Sequence, residues 1–519
     1  MLLMLFSIYS FTAPANHGEA EDVYDYALKV ETADFAQLAG VNHVLALPFF
    51  AASYRTATML GYAGRALPFM VFINRLLATA CLFLFWKLLQ TTASRSPVRV
   101  RDEAGFPGAP SDIRPLMPAV LFPALSYGFW RYANEAELYL LALLLVLTSW
   151  LLAIKGRWLW AAIVSAVGIL VHLLNAVPLL LVLPAYYLLQ KSWRKAGLHT
   201  LIAGGLTALV YGIISQSINW GQLGAHHHIN ESGFHLSNLL RGAIAFGQNL
   251  VSGNFLFGFE FFREFLAKAF PSRMLAEEYY MASQMPAWIP WAGSISLALL
   301  AVCGLGIGAV VLRKRSGSNR LGSNRPFTVE RMAYLIWFVL YAAVVLFTES
   351  GSPELWIMAI APFWLIIVPL LTGRMAWALA ILLFAHNLVA GLLPIMSSDS
   401  DYHRAKGQWL VAHSGEEDLI LCDYEPVMIF YLDYFAKGHV VSSSSADIKE
   451  IYNMVEGCDG TVYSLYSFFR PMETMAVRRP DLYNRMVVTG SILQDEFVKI
   501  EDDEFGGIWR WRGSIPVSE

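Results

Sequence analysis

Long apolar runs separated by short polar connections make up most of the chain. They fall at residues 69–89, 116–129, 139–154, 158–173, 176–189, 198–214, 289–312, 332–347, 356–371 and 375–395. An α-helix rises about 1.5 Å per residue, so runs of this kind approach the roughly 30 Å of hydrocarbon in a bilayer. Residues 1–15 form one more apolar run, about 22 Å long as a helix and therefore short for a span. It has no basic start, yet Ala13-Pro14-Ala15 has the small-residue pattern of a cleavage site. Two readings stand: a removable signal peptide, or a first span whose start lies upstream of Met1. With this run included, the pattern predicts eleven spans.

Composition agrees. The chain is 56% hydrophobic and 15% charged, with mean hydropathy +0.48, whereas soluble domains carry about a quarter charged residues. An ordinary soluble enzyme is excluded. The placement of charge says more than the net −3. Cytoplasmic loops are enriched in Lys and Arg. If residues 16–68 lie outside, every second loop should be basic. The five inside loops are: Lys87 with Arg95, Arg99 and Arg101; Lys155 with Arg157; Lys191 with Arg194 and Lys195; Arg313, Lys314 and Arg315; and Arg374. The other connections hold the acids Glu135, Glu137, Glu277, Glu278, Glu349 and Glu354. Trp130, Trp158, Trp160, Trp288, Trp291 and Trp356 fall near ends of runs, where interface anchors belong.

Two outside segments are large. Residues 215–287, rich in aromatics, read as helices lying along the membrane. Residues 397–519 change composition sharply and read as a soluble α/β domain. Within it, 418–423 and 461–465 pattern as buried strands and 446–455 as a helix between them. Residues 497–500 and 508–511 pattern as a closing hairpin around Gly506-Gly507. Cys422 ends one strand and Cys458 precedes the other, at opposite edges of the sheet, so no disulfide is expected. The fold class is therefore mostly α: a membrane domain over 1–396 with outside loops 16–68 and 215–287, and an extracytoplasmic domain over 397–519.

The stretch 16–50 carries the candidate chemistry. Glu21, Asp22 and Asp25 fall within five residues. On a helix, Asp25 would share a face with Glu21 (i, i+4) or Asp22 (i, i+3). Carboxylates so close repel, so a partner compensates them, or one pKa rises, or the stretch is a solvated acidic loop. Asn42-His43 with Leu45 and Pro48 follows, and Asn134-Glu135-x-Glu137-x-Tyr139 comes after the run at 116–129.

This order resembles the GT-C-fold glycosyltransferases: protein O-mannosyltransferases, the aminoarabinose transferase of lipid A, and bacterial relatives. Asn42-His43-Val44-Leu45 stands where some of them carry His-Pro-Pro-Leu. The resemblance implies a multi-pass protein of the plasma (inner) membrane. Its donor would be a polyprenyl-phosphate sugar, held in the bilayer by its tail. It would transfer that sugar, with inversion, to a hydroxyl of an unidentified lipid, glycan or protein on the outer face. Asp22 would then be the general base, with Glu21 and Asp25 as alternates. The leaving phosphate needs positive charge or a metal. Arg75, Arg131, Arg241 and Arg404, near outer ends of spans, are the candidates for it. Asn42, His43, Glu135 and Glu137 join them as substrate-binding candidates.

Simpler roles compete. Arg75 could snorkel to the interface. Arg131 and Glu135 have the spacing of a helical ion pair. His43 could be a packing histidine, and His172 and Asn175 satisfied turn groups. Adjacent His226, His227 and His228 cannot all face one ion on a regular element, so no metal site is assigned. A divalent cation remains open as a cofactor. Gly317-Ser318-Asn319-Arg320 recurs at 322–325 as a flexible basic linker. Neither Gly-rich phosphate fingerprint is present, so nucleotide binding is unsupported, and nothing points to nucleic acid. The competing functions are a transporter or flippase of lipid-linked substrates, and a lipid-binding scaffold without turnover. A transporter calls for ionisable groups deep in spans and an inverted repeat. The acids here gather outside instead.

Overall fold

A computed structural model describes residues 1–18, 20, 22–95, 117–214, 236–270, 275–318, 328–371, 373–444 and 448–514. The chain is mostly helical and divides into two compact units. The first comprises Met1–Ala13, Lys29–Gly253 and Trp291–Leu393; the second comprises Pro14–Leu28, Asn254–Pro290 and Pro394–Glu519.

In the first unit the apolar runs are helices. Five among the described residues are long and apolar enough to cross a membrane: Ala66–Thr92, Trp193–Ile214, Trp288–Gly306, Val329–Thr348 and Arg374–Met396. Leu2–Phe11, Tyr139–Ile154, Trp158–Val171, Leu173–Leu189 and Glu354–Leu370 are shorter apolar helices. The run at 116–129 is broken. It forms Met117–Leu125 and Tyr127–Tyr132, with Ser126 extended between them and Pro123 inside the first piece. Where a proline interrupts an apolar helix, other groups must satisfy the backbone. Asn387 supplies that service at the break: its amide nitrogen donates to the Leu125 and Leu250 carbonyls at 2.6 and 2.9 Å, and its oxygen accepts the Ser252 amide at 2.9 Å. Trp150 stacks on Trp337 at 5.7 Å between ring centres, both fully buried.

The tryptophans divide. Trp160, Trp288 and Trp291 are exposed, as interface anchors would be, but Trp130 and Trp356 are buried. Their indole N–H groups donate to Thr12 Oγ1 and the Ser350 carbonyl, so these two are core residues rather than anchors.

The second unit is built on a five-stranded sheet ordered β2-β1-β3-β5-β4. Its strands are β1 Leu419–Cys422, β2 His439–Ser442, β3 Val462–Leu465, β4 Phe497–Glu501 and β5 Ile508–Trp511. β1 runs parallel to β2 and β3, with helices in the crossovers, and β4–β5 is the antiparallel hairpin that the sequence predicts. Gly506 and Gly507 turn it with φ of 98° and 87°, the left-handed region that glycine enters without strain. A core of Leu419, Leu421, Ile451, Val455, Val462, Phe468, Phe469, Leu493 and Phe497 fills one face. All four cysteines are free.

Two earlier segments complete this unit. The Asn16 side chain donates to the Ser400 carbonyl at 2.7 Å, and the Tyr24 ring packs on Tyr431 and Phe435 at 5.4 and 5.7 Å. Tyr280 packs on Tyr402 and Phe505 at 5.9 and 5.5 Å.

Candidate functional site

The first unit holds most of the candidates read from the sequence. Arg131 closes on Glu135 at 3.1 Å, one helical turn apart, with side chains 1% and 0% exposed. Arg131 also donates to the Tyr127 hydroxyl at 3.3 Å. The Asn74 amide nitrogen donates to the carbonyls of Glu135 and Glu137 at 2.6 and 2.7 Å, which fixes the acidic turn against the Ala66–Arg95 helix. On the same helix, Arg75 donates from Nε to Asn134 Oδ1 at 2.8 Å. The structure thus brings Arg131, Asn134, Glu135 and Glu137 into one buried polar cluster, with Arg75 half-buried at its edge. Tyr139, the last residue of that motif, donates its hydroxyl to Glu354 at 2.8 Å.

Asn42 and His43 lie apart from these contacts. The Asn42 carbonyl accepts the Leu173 amide at 3.1 Å, while His43 Nδ1 is 3.4 Å from the Val171 carbonyl. The His43 ring meets His172 edge-on at 4.7 Å. Burial pulls His43 down to about 4, against the Val171 carbonyl, so it is neutral near pH 7. Arg241 is exposed on the Leu236–Leu250 helix. His226, His227 and His228 lie outside the described residues.

In the second unit, Asp22 immediately precedes the helix Val23–Thr32. Its carbonyl accepts the Tyr26 amide and its Oδ2 accepts the Tyr26 hydroxyl, both at 2.9 Å. Asp25 lies in the first turn, and Glu21 is outside the described residues. Partial burial, with the Asp25 charge second, pushes Asp433 up to about 6. The acidic stretch therefore has a carboxyl neighbour from residues 394–519. Arg404 is exposed on Tyr402–His413, in the same unit as Asp22.

Sequence reading missed a second polar centre in this unit. His403 and Lys406, one turn apart, face Glu425 beyond the end of β1 and Glu277 from the helix Ala276–Ser283. Lys406 Nζ is 2.5 Å from Glu425 Oε2, and both side chains are 3% exposed. Burial lowers Lys406, but Glu425 and Asp423 outweigh it and hold it well above the usual lysine range. His403 is fully buried, which pulls it down to about 4; Asp401 opposes this and Lys406 reinforces it. The spacing of His403 and Lys406 was a readable signal. So were acids just past a parallel strand, the edge where α/β sheets bind ligands.

Burial pushes Asp423 up to about 6; Lys406 opposes the shift and Glu425 adds to it. A carboxyl raised in the folded state adds nothing below its unfolded pKa and costs stability as pH climbs through the folded one. Asp423→Asn is expected to melt with wild type at pH 4 and above it at pH 8. Thermal melting of the purified protein at the two pH values checks this, and equal melting at both would remove the buried charge from the account.

No protein-family model matches the chain, and no curated protein sequence does. Among solved structures it is similar to the crystal structure of ArnT from Cupriavidus metallidurans bound to undecaprenyl phosphate, at 11% identity and a TM-score of 0.50. The match covers 98% of this chain and 96% of that one. At that identity the likeness is one of fold, and it runs end to end in both chains.

Proposed function

We propose that the chain is an integral-membrane glycosyltransferase of the GT-C kind. It takes a sugar from a polyprenyl-phosphate carrier and places it on a hydroxyl acceptor at the outer face of the plasma (inner) membrane. The observation that carries this reading is the end-to-end fold likeness to a protein crystallised with undecaprenyl phosphate. In the reading, Asp22 takes the acceptor proton as the hydroxyl oxygen attacks the anomeric carbon. The bond from that carbon to the phosphate oxygen breaks, and its electron pair leaves on polyprenyl phosphate. Arg404, exposed in the same unit as Asp22, is the first choice to meet that charge. Arg75 and Arg241 are the further candidates that the sequence offers. Arg131 is committed to Glu135.

Liposomes holding the purified chain and a donor labelled in the sugar test the reading. A transferase separates label from polyprenyl phosphate when acceptor is supplied. A flippase moves the donor across the bilayer intact, and that outcome would replace the proposal.

The five basic loops add a topological expectation. A reporter active only outside the cytoplasm should work when fused after Glu519 and fail after Arg315. Activity at both positions or at neither contradicts the orientation.

A further inference from the structure

We infer that Glu277, His403 and Glu425 form a binding site for a first-row divalent cation of the zinc class. The inference does not rest on the transferase reading, because it concerns side chains of the second unit and needs no donor. One ligand atom from each residue can be chosen so that all three lie within 4.8 Å of one another. His403 Nε2 is 3.4 Å from Glu277 Oε1 and 3.8 Å from Glu425 Oε1. Those gaps are long for direct hydrogen bonds. Ligands of a tetrahedral ion at about 2.0–2.1 Å stand about 3.3–3.4 Å apart, so the Glu277 gap already has that spacing and Glu425 would draw in by a few tenths of an ångström.

A second observation points the same way. His403 is 0% exposed, and neither of its ring nitrogens has a hydrogen-bond partner among the described residues. Buried polar groups of native proteins are nearly always satisfied, because an unmade bond costs about 1–3 kcal/mol. A cation on Nε2 satisfies that nitrogen.

Lys406 is the objection, since an ammonium beside Glu425 competes with any cation. It holds the other oxygen, Oε2, and leaves Oε1 toward His403. Glu277, from a separate helix, brings a second carboxylate that Lys406 does not hold. One imidazole with two carboxylates favours zinc or its neighbours over magnesium and calcium, which prefer all-oxygen shells. Three protein ligands leave a fourth position for water or a substrate oxygen.

The Gly18 loop runs close to this carboxylate: a Cβ there would lie 2.4 Å from Glu277 Oε2 and would displace the end of that side chain. An ion here would tie together Ala276–Ser283, Tyr402–His413 and the turn after β1.

The test uses full-length protein in detergent, with His226, His227 and His228 replaced by alanine to remove a competing zinc ligand set. After chelator treatment it is titrated with Zn2+ alone, reading bound metal and thermal melting. The expected result is one equivalent bound, with a melting rise that chelator reverses and Mg2+ does not reproduce. His403→Ala and Glu277→Gln should each weaken binding at least about tenfold. Should His403→Ala fail to fold, Glu277→Gln decides, because that half-exposed residue lies on another element. Absence of saturable binding in the parent, or unchanged binding in the variants that fold, overturns the site.

Discussion

Asp22→Asn should abolish sugar transfer while leaving the amount of folded protein unchanged. Folding is spared for a structural reason: asparagine has nearly the shape of aspartate, and its amide oxygen can still accept the Tyr26 hydroxyl. Chemistry is not spared, because an amide cannot take the acceptor's proton. Loss of a general base typically costs about 10²–10⁴ in rate. Asp25→Asn and Glu21→Gln should lose less, since in this reading they hold the acceptor rather than its proton. Tyr26→Phe separates a second role. If the hydroxyl only orients Asp22, that variant keeps most of its activity. The measurement is transfer from a polyprenyl-phosphate sugar in membranes, with expression followed in parallel. Wild-type activity in Asp22→Asn would take that residue out of its role.

Glu135→Gln should be the most destabilising conservative change in the first unit. It removes one charge of a pair whose side chains are 1% and 0% exposed, leaving the Arg131 guanidinium buried beside an amide. Breaking such a pair from one side costs about 3–5 kcal/mol, since the remaining charge has lost its compensation and stays out of water. In an apolar environment that penalty is not easily relieved by local rearrangement. Replacing both partners at once, as Arg131→Met with Glu135→Leu, should recover much of the loss. Melting of the detergent-solubilised variants reads both effects. A single variant as stable as wild type would show that the pair is not structural, and would return Arg131 to the list of phosphate candidates.

Helix positions were legible because an apolar run states its own secondary structure. The run at 139–154 became Tyr139–Ile154, and those at 332–347 and 375–395 lie within Val329–Thr348 and Arg374–Met396. The break at Ser126 was not read, although Pro123 was in plain view, since a proline in an apolar run can kink a helix or end it. In the second unit β1, β3 and the hairpin announced themselves as short apolar or alternating segments. β2 did not: four residues long and beginning with an exposed histidine, it lies at the sheet edge and is defined mainly by its pairing with β1. The candidate site divides on the same line. Arg131 and Glu135 are four apart, and local spacing foretold their contact. Glu277, His403 and Glu425 come from distant parts of the chain, and only the fold brings them together. Gly18 is another such case. Its neighbour across the fold is the Glu277 carboxylate, which no local pattern reveals.

In the proposed mechanism this chain cleaves a sugar from a polyprenyl-phosphate carrier with the acidic stretch as base. The most direct measurement follows free polyprenyl phosphate released from a set of polyprenyl-phosphate sugars in membranes containing the full chain. Wild type and the triple variant Glu21→Gln, Asp22→Asn, Asp25→Asn are compared at matched expression. Acceptor-dependent release by wild type and background release by the triple variant are expected. Equal release by both would contradict the mechanism.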